Sequence, residues 1–492
     1  MFDEPERFPP WKRFLLGSLL LILVAATVAT LAAFSQRQSV VQVIAGRAYD
    51  NSISRYLTVP TGGPQTILLI GSDRRKNDRK YGLPPRSDTM MLVRLDPDLA
   101  VTPVLSIPRD LKVDIPGRGT AKINEAYSLG GAKLVIRTIT QETGLDINHV
   151  VNIDFRGFIQ VVDRIDCVYT DVDRRYYNDN VGAYIRDAYA AINIKAGYQK
   201  LCGPKALDFV RFRHLDSDIV RGARQQSFLR QAKQQVGVAA LFRNAKSLKN
   251  IIAENTRTDR GLANGHNLQR LLALGVKSSG KPVYQVQIPN ITYDNVGAAY
   301  VIASSSSLHR AARTFEFGPT VRRRAARPAG AAKKRKKKRA KSSGSLPANM
   351  VYAKDEGKKQ AVIAGFGIAL PVYYPTVKLA GAQYKDSHTR AYRMTTADGK
   401  RAGAWRIVAQ TREIGEYYGI QGVNWADPPI LKGPHAARKI NGRTFDLYYE
   451  GNKLGMVALH KNGASFWVEN TLTRMLSEKQ MLAVATSLRK RR

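Results

Sequence analysis

Between Arg322 and Lys341 the chain places twelve lysine or arginine residues in twenty positions, with no acidic residue among them and with Pro328 and Gly330 interrupting the run. Like charges at that density repel one another and offer no apolar surface to bury, so the segment belongs to no core. It divides the chain into two parts. The expected organisation is a larger unit over 64–316, a basic disordered linker over 317–349 and a smaller unit over 350–492.

The excess of positive charge extends to the whole chain. With 78 lysines and arginines against 39 acidic residues the formal charge is +39, which calls for an anionic environment: nucleic acid, an acidic membrane surface or an anionic polymer. The N-terminus chooses among these. Phe14–Phe34 holds no charged residue over 21 positions, enough to cross a hydrocarbon core about 30 Å thick at about 1.5 Å per residue. Trp11, Lys12 and Arg13 precede the run, and no small-residue cleavage site follows it. The reading is a cell-membrane protein with a single transmembrane helix over 14–34, residues 1–13 in the cytoplasm, and a juxtamembrane stalk over 35–63 leading to an extracytoplasmic remainder. Nucleic acid is thereby excluded as a partner. The basic run is then either a self-repelling linker or a tether to anionic envelope polymers whose hold weakens as salt rises.

Cys167 and Cys202 are the only cysteines. In an oxidising compartment they would close a disulfide loop of about 35 residues; the alternative is two free buried thiols. The seven histidines are scattered, and no Cys/His metal spacing occurs.

Within the larger unit QTILLIGSD (65–73), DTMMLVRLD (88–96) and VTPVLSIPRD (101–110) are apolar runs that empty into polar loops. Helical spacing marks 132–144, 154–164 and 221–241, while HVVNIDF, CVYTDVD and VYQVQI read as further strands. This pattern predicts an α/β domain with helices on both faces of a sheet. In 350–492 alternating segments are broken by turn signals at Asp398-Gly399 and Asn462-Gly463, and SEKQMLAVATSLRKR closes as a capped helix. The expectation there is α+β with an antiparallel sheet. Trp405, Trp425 and Trp467 serve either its core or a sugar-stacking surface.

Chemistry concentrates in RFRHLDSDIVRGARQQ, residues 211–226, which holds Arg211, Arg213, Asp216, Asp218, Arg221, Arg224, Gln225 and Gln226. Guanidinium forks grip phosphate in bidentate fashion. Asp216, Ser217 and Asp218 suit the N-cap of a helix on which Arg221, Arg224, Gln225 and Phe228 share one face, close to the end where unpaired N–H groups attract anions. Arg211 and Arg213 point the same way if the segment before the cap is extended. A surface helix laced with salt bridges is the competing reading. Asp73, Arg86, Asp88, Arg109 and Asp110 stand at the ends of three predicted strands, so they could converge on one sheet edge. Asp73 and Asp88 offer oxygen ligands to a hard cation, Mg²⁺ held partly by substrate phosphates.

These residues fall in ordered motifs: GSD at 71–73, RSDTMML at 86–92, SIPRD at 106–110, KINEAYSLGG at 122–131, DFRGFIQVVDRI from 154 and GPKALDFVRFRHLDSDIVRGARQQ from 203. Together they closely resemble the LytR-CpsA-Psr (LCP) family over roughly 64–316. The resemblance implies an α/β/α sandwich with an apolar tunnel for a lipid tail. It also implies a membrane-anchored phosphotransferase that moves a glycopolymer from a polyprenyl-pyrophosphate carrier to a peptidoglycan hydroxyl, leaving a phosphodiester link. Asp73 and Asp88 would be the Mg²⁺ ligands, and Arg86, Arg109, Arg211, Arg213, Arg221 and Gln225 the pyrophosphate clamp. To that set the residue reading adds Arg224 as a clamp residue, with Arg109 and Asp218 in catalytic roles, Asp218 as proton acceptor. Two other functions fit the same residues: a lipid-pyrophosphate hydrolase with water as acceptor, and a non-catalytic envelope protein that binds anionic glycopolymer. The 350–492 segment does not resemble the C-terminal domain often attached to this family.

Overall fold

The computed structural model describes residues 48–49, 51–60, 62–73, 86–181, 190–212, 218–236, 251, 254–262, 264–279, 281–294, 300–319, 346–450 and 453–491. The apolar run Phe14–Phe34 and the basic run Arg322–Lys341 lie outside the described residues. Among those described, no helix is long and apolar enough to cross a membrane, which overturns the expected single-pass localisation.

Six strands form the central sheet: β1 (Gln65–Asp73), β2 (Arg86–Leu95), β3 (Thr102–Ile107), β4 (His149–Asp154), β5 (Thr256–Thr258) and β6 (Val283–Val286), in the order β5-β4-β1-β2-β3-β6. The sheet is mixed, because β1 runs antiparallel to β2 but parallel to β4, and β3 runs parallel to β6. Around it lie α1 (Ile123–Thr143), α2 (Phe155–Arg164), α3 (Gly203–Arg211), α4 (Asp218–Gln235), α5 (Gly265–Ser279) and α6 (Ser305–Phe317). Successive side chains of a strand leave on opposite faces. Leu68 and Ile70 therefore pack with Val135 and Ile139 of α1 and Leu308 of α6, whereas Ile67 packs with Leu268 and Leu271 of α5. Apolar runs without alternation are the signature of a sheet covered on both sides, as the sequence predicted.

One expected boundary moves. Tyr49 and residues 51–58 are packed onto the larger part instead of standing off as a stalk: the Tyr49 N–H donates to the Thr258 carbonyl at 2.8 Å, the Thr58 N–H to the Ile147 carbonyl at 2.9 Å, and Ile53 is 2% exposed in the core. The segment before residue 212, whose extension is the condition for Arg211 and Arg213 to point the same way, is the helix α3. Cys202 caps it, proline stands in its first turn, and Ala206, Leu207 and Phe209 are buried.

Cys167 and Cys202 are joined, with Cα atoms 4.4 Å apart, so the free-thiol alternative falls. The bond ties the residues just after α2 to the N-cap of α3. Gly203 completes the contact, since a Cβ there would meet the Ile159 carbonyl at 2.6 Å. Replacing both cysteines with serine is expected to lower stability by about 2–4 kcal/mol in a urea titration, as for a loop of this length.

The C-terminal part is built on β7 (Gln383–Tyr384), β8 (Arg390–Thr395), β9 (Arg401–Gln410), β10 (Tyr417–Val423), β11 (Ala436–Ile440), β12 (Arg443–Glu450), β13 (Lys453–Lys461) and β14 (Ala464–Glu469). They pair antiparallel in the order β7-β9-β10-β14-β13-β12-β11, with β8 also on β9. Asn462 and Gly463 take φ of 50° and 73° between β13 and β14, as a tight hairpin of this hand requires. The helices α7 (Lys354–Ala364) and α8 (Glu478–Thr486) pack on the sheet, and Ser477 and Gln480 form a capping box at α8. Trp405 and Trp467 are fully buried, which settles them as core.

This sheet is docked on the larger part. Arg406, with no exposed side-chain surface, lies 2.7 Å from Asp171 and 3.4 Å from Glu469, and the Trp467 indole N–H donates to Asp171 at 2.7 Å. Tyr169 donates to the Thr395 carbonyl, Tyr392 to the Tyr198 carbonyl and Arg390 to the Ala196 carbonyl. His388 sits at this junction, its ring 5.8 Å from that of Tyr417. Burial, then Arg174, Lys385 and Arg175, pushes its pKa down to about 4. In the unfolded chain it titrates near about 6.5. The unfolded chain thus takes up the proton first, so stability present at neutral pH is lost as pH falls from about 6.5 towards 4. Allowing for residual exposure, wild type is expected to lose about 1–2 kcal/mol more than His388→Phe between pH 7.5 and 4.5, read from urea midpoints.

Candidate functional site

The helix α4 carries the arginine cluster, and its seat on the sheet is set by small and polar residues. A Cβ on Gly222 would stand 3.2 Å from the Ser106 Cβ, so glycine brings the helix against β3. The Gln226 amide then donates to Ser106 Oγ at 2.6 Å, and the Gln225 amide donates to Thr89 Oγ1 at 2.9 Å and to the Val210 carbonyl at 3.1 Å. These bonds hold Arg221, one turn earlier, over the ends of β2 and β3. Arg221 is 6% exposed.

Beyond β3, Arg109 Nε donates to Asp110 Oδ2 at 3.2 Å, and Lys122 Nζ lies 3.2 Å from Oδ1. Burial raises the Asp110 pKa, but Arg109, Lys122 and Arg221 outweigh it and hold the carboxyl below its ordinary value. Asp110 is thus an anion that orders three cations at one edge of the sheet.

Two cavities meet at α4. A cleft of about 1240 Å³ is lined by Thr89, Ser106, Asp110, Arg221, Gln225 and Gln226, and also by residues of the C-terminal sheet. An apolar pocket of about 110 Å³ lies among Leu69, Ile70, Met91, Phe155, Phe158, Leu207, Phe228 and Leu229, with Arg211 beside them. Thr89, Arg221 and Gln225 border both. A molecule with an apolar tail in the pocket and a polar body in the cleft would pass its junction along the Arg221 guanidinium and the Gln225 amide.

The sequence-predicted residues divide accordingly. Arg221 and Gln225 line both cavities, and Arg109 stands next to the cleft through Asp110. Arg211 lines the apolar pocket at the last turn of α3, paired with Asp208 at 2.8 Å. Arg224 is a correction. It is fully buried, donates to the Phe212 carbonyl, lies over the rings of Tyr176, Phe209 and Phe212, and lines neither cavity. Its guanidinium supports the aromatic core below α4, because an arginine there extends inward past the helix face it starts from. In backbone register Asp73 pairs with Arg86, and the bulge between Gly71 and Ser72 leaves Asp88 as the extra residue of β2. Asp218 opens α4. The side chains of Asp73, Arg86, Asp88 and Asp218 lie outside the description, as do Arg213 and Asp216 entirely.

For a cation, Asp73 and Asp88 stand on adjacent strands, and their carboxylates would suit Mg²⁺. Among the described residues the one close triad of potential ligands is Asp163, Cys167 and Cys202, whose sulfurs are consumed by the disulfide. Sequence reading missed Thr89, Ser106 and Lys122, which bond Gln225, Gln226 and Asp110 in turn without resembling chemistry themselves.

A covered α/β sheet with an arginine helix between an apolar pocket and a polar cleft could seat an amphiphilic phosphate. The model of the LytR_cpsA_psr family matches residues 31–315, more than half of the chain, and the chain belongs to that family. It is 28% identical over 311 residues to the polyisoprenyl-teichoic acid–peptidoglycan teichoic acid transferase TagT of Bacillus subtilis, covering 60% of this chain and 91% of the relative. With TagU of Halalkalibacterium halodurans it shares 31% identity over 229 residues, 46% of this chain and 69% of the relative. The solved structure of B. subtilis TagV is 23% identical over 53% of this chain and 100% of that one, with a TM-score of 0.41.

Proposed function

We propose that the chain transfers a glycopolymer from a polyprenyl-pyrophosphate carrier to a hydroxyl of peptidoglycan, forming a phosphodiester. The observation that carries this reading is the sharing of Arg221, Gln225 and Thr89 between the apolar pocket and the polar cleft. It is supported by the named activity of the TagT and TagU relatives. The lipid tail would enter among Phe155, Phe158 and Phe228, the pyrophosphate would lie against Arg221 and Arg109, and the glycan would occupy the cleft.

The acceptor oxygen attacks the phosphorus that bears the glycan, the bond from that phosphorus to the bridging oxygen breaks, and polyprenyl phosphate leaves. Arg221 and Arg109 neutralise the charge that grows on the bridging and leaving oxygens, and positioning with electrostatics supplies most of the catalysis in such transfers. Asp218, one turn before Arg221, takes the proton of the attacking hydroxyl. Asp73 and Asp88 would hold Mg²⁺, which supplies further neutralisation of phosphate charge. The Arg322–Lys341 run, by its charge, would attract anionic envelope polymers.

Given a polyprenyl-pyrophosphate-linked glycan and peptidoglycan, the chain is expected to fix polymer to the wall and release polyprenyl phosphate. Free phosphorylated polymer would instead make it a hydrolase, and binding without turnover that survives loss of Asp73 and Asp88 would make it a binding protein. Arg109→Ala is expected to cut transfer by about 10²–10³-fold without changing the unfolding midpoint, since Lys122 still pairs with Asp110.

A further inference from the structure

The cleft beside Asp110 and Arg221 takes a second wall from the C-terminal sheet. Glu413 and Ile414 contribute from the turn between β9 and β10, Glu416 from just behind it, and Met475 from the loop after β14. Ile414 is 73% and Met475 44% exposed, so two apolar side chains stand free at the rim. Glu416 is only 3% exposed; Thr473 and Thr471 donate to its carboxyl, while its Oε2 has no hydrogen-bond partner. A buried carboxylate oxygen left unsatisfied is uncommon and calls for a donor.

Charge sorts the two walls. The guanidiniums of Arg221 and Arg109 attract a pyrophosphate, whereas the exposed carboxylate of Glu413 repels one, so the anionic part of the donor stays on the arginine side. Of the cations on the second wall, Arg474 pairs with Glu450, and Lys453 is set against Glu416 and Glu450 while reaching Gln287 at 3.4 Å. What remains on offer is hydrogen-bond acceptors next to apolar surface. Carboxylates accept from hydroxyls, and the C–H faces of a sugar pack on aliphatic side chains.

We propose that this wall is the acceptor subsite, in which Glu413, Glu416 and Ile414 bind the hydroxyl-bearing glycan that receives the polymer and hold it facing Arg221. The proposal rests on the transfer reading above and assigns its second substrate to residues outside the family-matched region. The wall has a fixed position, since Arg230 of α4 pairs with Glu450 of β12 at 3.0 Å and Arg406 ties the sheet to Asp171.

The test uses the full-length protein and soluble peptidoglycan glycan-strand fragments. In calorimetry without donor, Glu413→Lys, Ile414→Asp and Glu416→Gln are each expected to weaken fragment binding about tenfold or more, the size of a lost hydrogen bond to a charged partner for the two glutamates and of lost apolar burial for Ile414. In two-substrate kinetics the acceptor KM rises by a similar factor while the donor KM is unchanged. Glu413 and Ile414 are exposed, so their variants keep the test open if Glu416→Gln fails to fold. Fragment binding that is absent in wild type, or equal in wild type and variants, overturns the proposal, and so does a rise in donor KM alone. Fragment binding lost in the variants, with no transfer by wild type under any condition, supports the glycan subsite and removes the transferase reading instead.

Discussion

Arg221→Lys is expected to lower the single-turnover rate of transfer by about 10²–10³-fold while the unfolding midpoint stays close to that of wild type. Lysine keeps the charge that helps hold Asp110 ionised, and its aliphatic stem fills most of the buried volume. It loses the planar fork that can engage two phosphate oxygens at once. Arg221 is the sole arginine bordering both cavities in the described residues, so neither Arg109 nor Arg211 can take over its position at the junction of tail and glycan. Full activity in Arg221→Lys would show that the pyrophosphate lies elsewhere. A large fall in midpoint would show that Arg221 serves the fold, as Arg224 does.

The second large effect is structural. Arg406→Met is expected to cost about 3–5 kcal/mol, measured by urea unfolding, because it leaves Asp171 buried without its counter-ion. Burial works against the charge of Arg406, but Asp171 and then Glu469 hold it charged. Burial and the neighbouring Asp171 push the Glu469 carboxyl well above its ordinary range, so Asp171 is the principal counter-ion. Replacing all three, with Asp171→Asn and Glu469→Gln beside Arg406→Met, is expected to recover a substantial part of the loss, since an uncompensated charge costs more than the missing pair. A triple variant no more stable than Arg406→Met would mean that the packing around Arg406 matters more than its charge.

What the sequence revealed follows from how local each feature is. Unbroken apolar runs such as QTILLIGSD could only be strands covered on both faces, and Asn462-Gly463 could only be a tight turn, because both signals lie within a few neighbouring residues. Arg221 and Gln225 were legible for the same reason, being one helical turn apart. Helical period fails for Arg224, which leaves the same side of α4: angle around an axis does not say whether a long side chain turns to solvent or inward over Tyr176 and Phe212. It failed for Arg211 too, because a nine-residue helix hidden in GPKALDFVR has too few turns for its period to stand out. The docking of the C-terminal sheet was beyond any such reading. Asp171 and Arg406 are separated by 235 positions, and nothing in either neighbourhood names the other.

That docking bears on how the molecule comes into being. Tyr169, Tyr198, Val220 and Ala223 pack beneath Trp467, Ile430, Leu431 and Leu472, so the part synthesised first carries an apolar face whose cover arrives last. At about 5–20 residues per second, some 10–30 seconds separate the completion of α6 from the appearance of the final strands. During that interval the newborn face is open to any sticky neighbour, and the dense positive charge of the run made next repels sister chains at the moment they are most able to cling to one another.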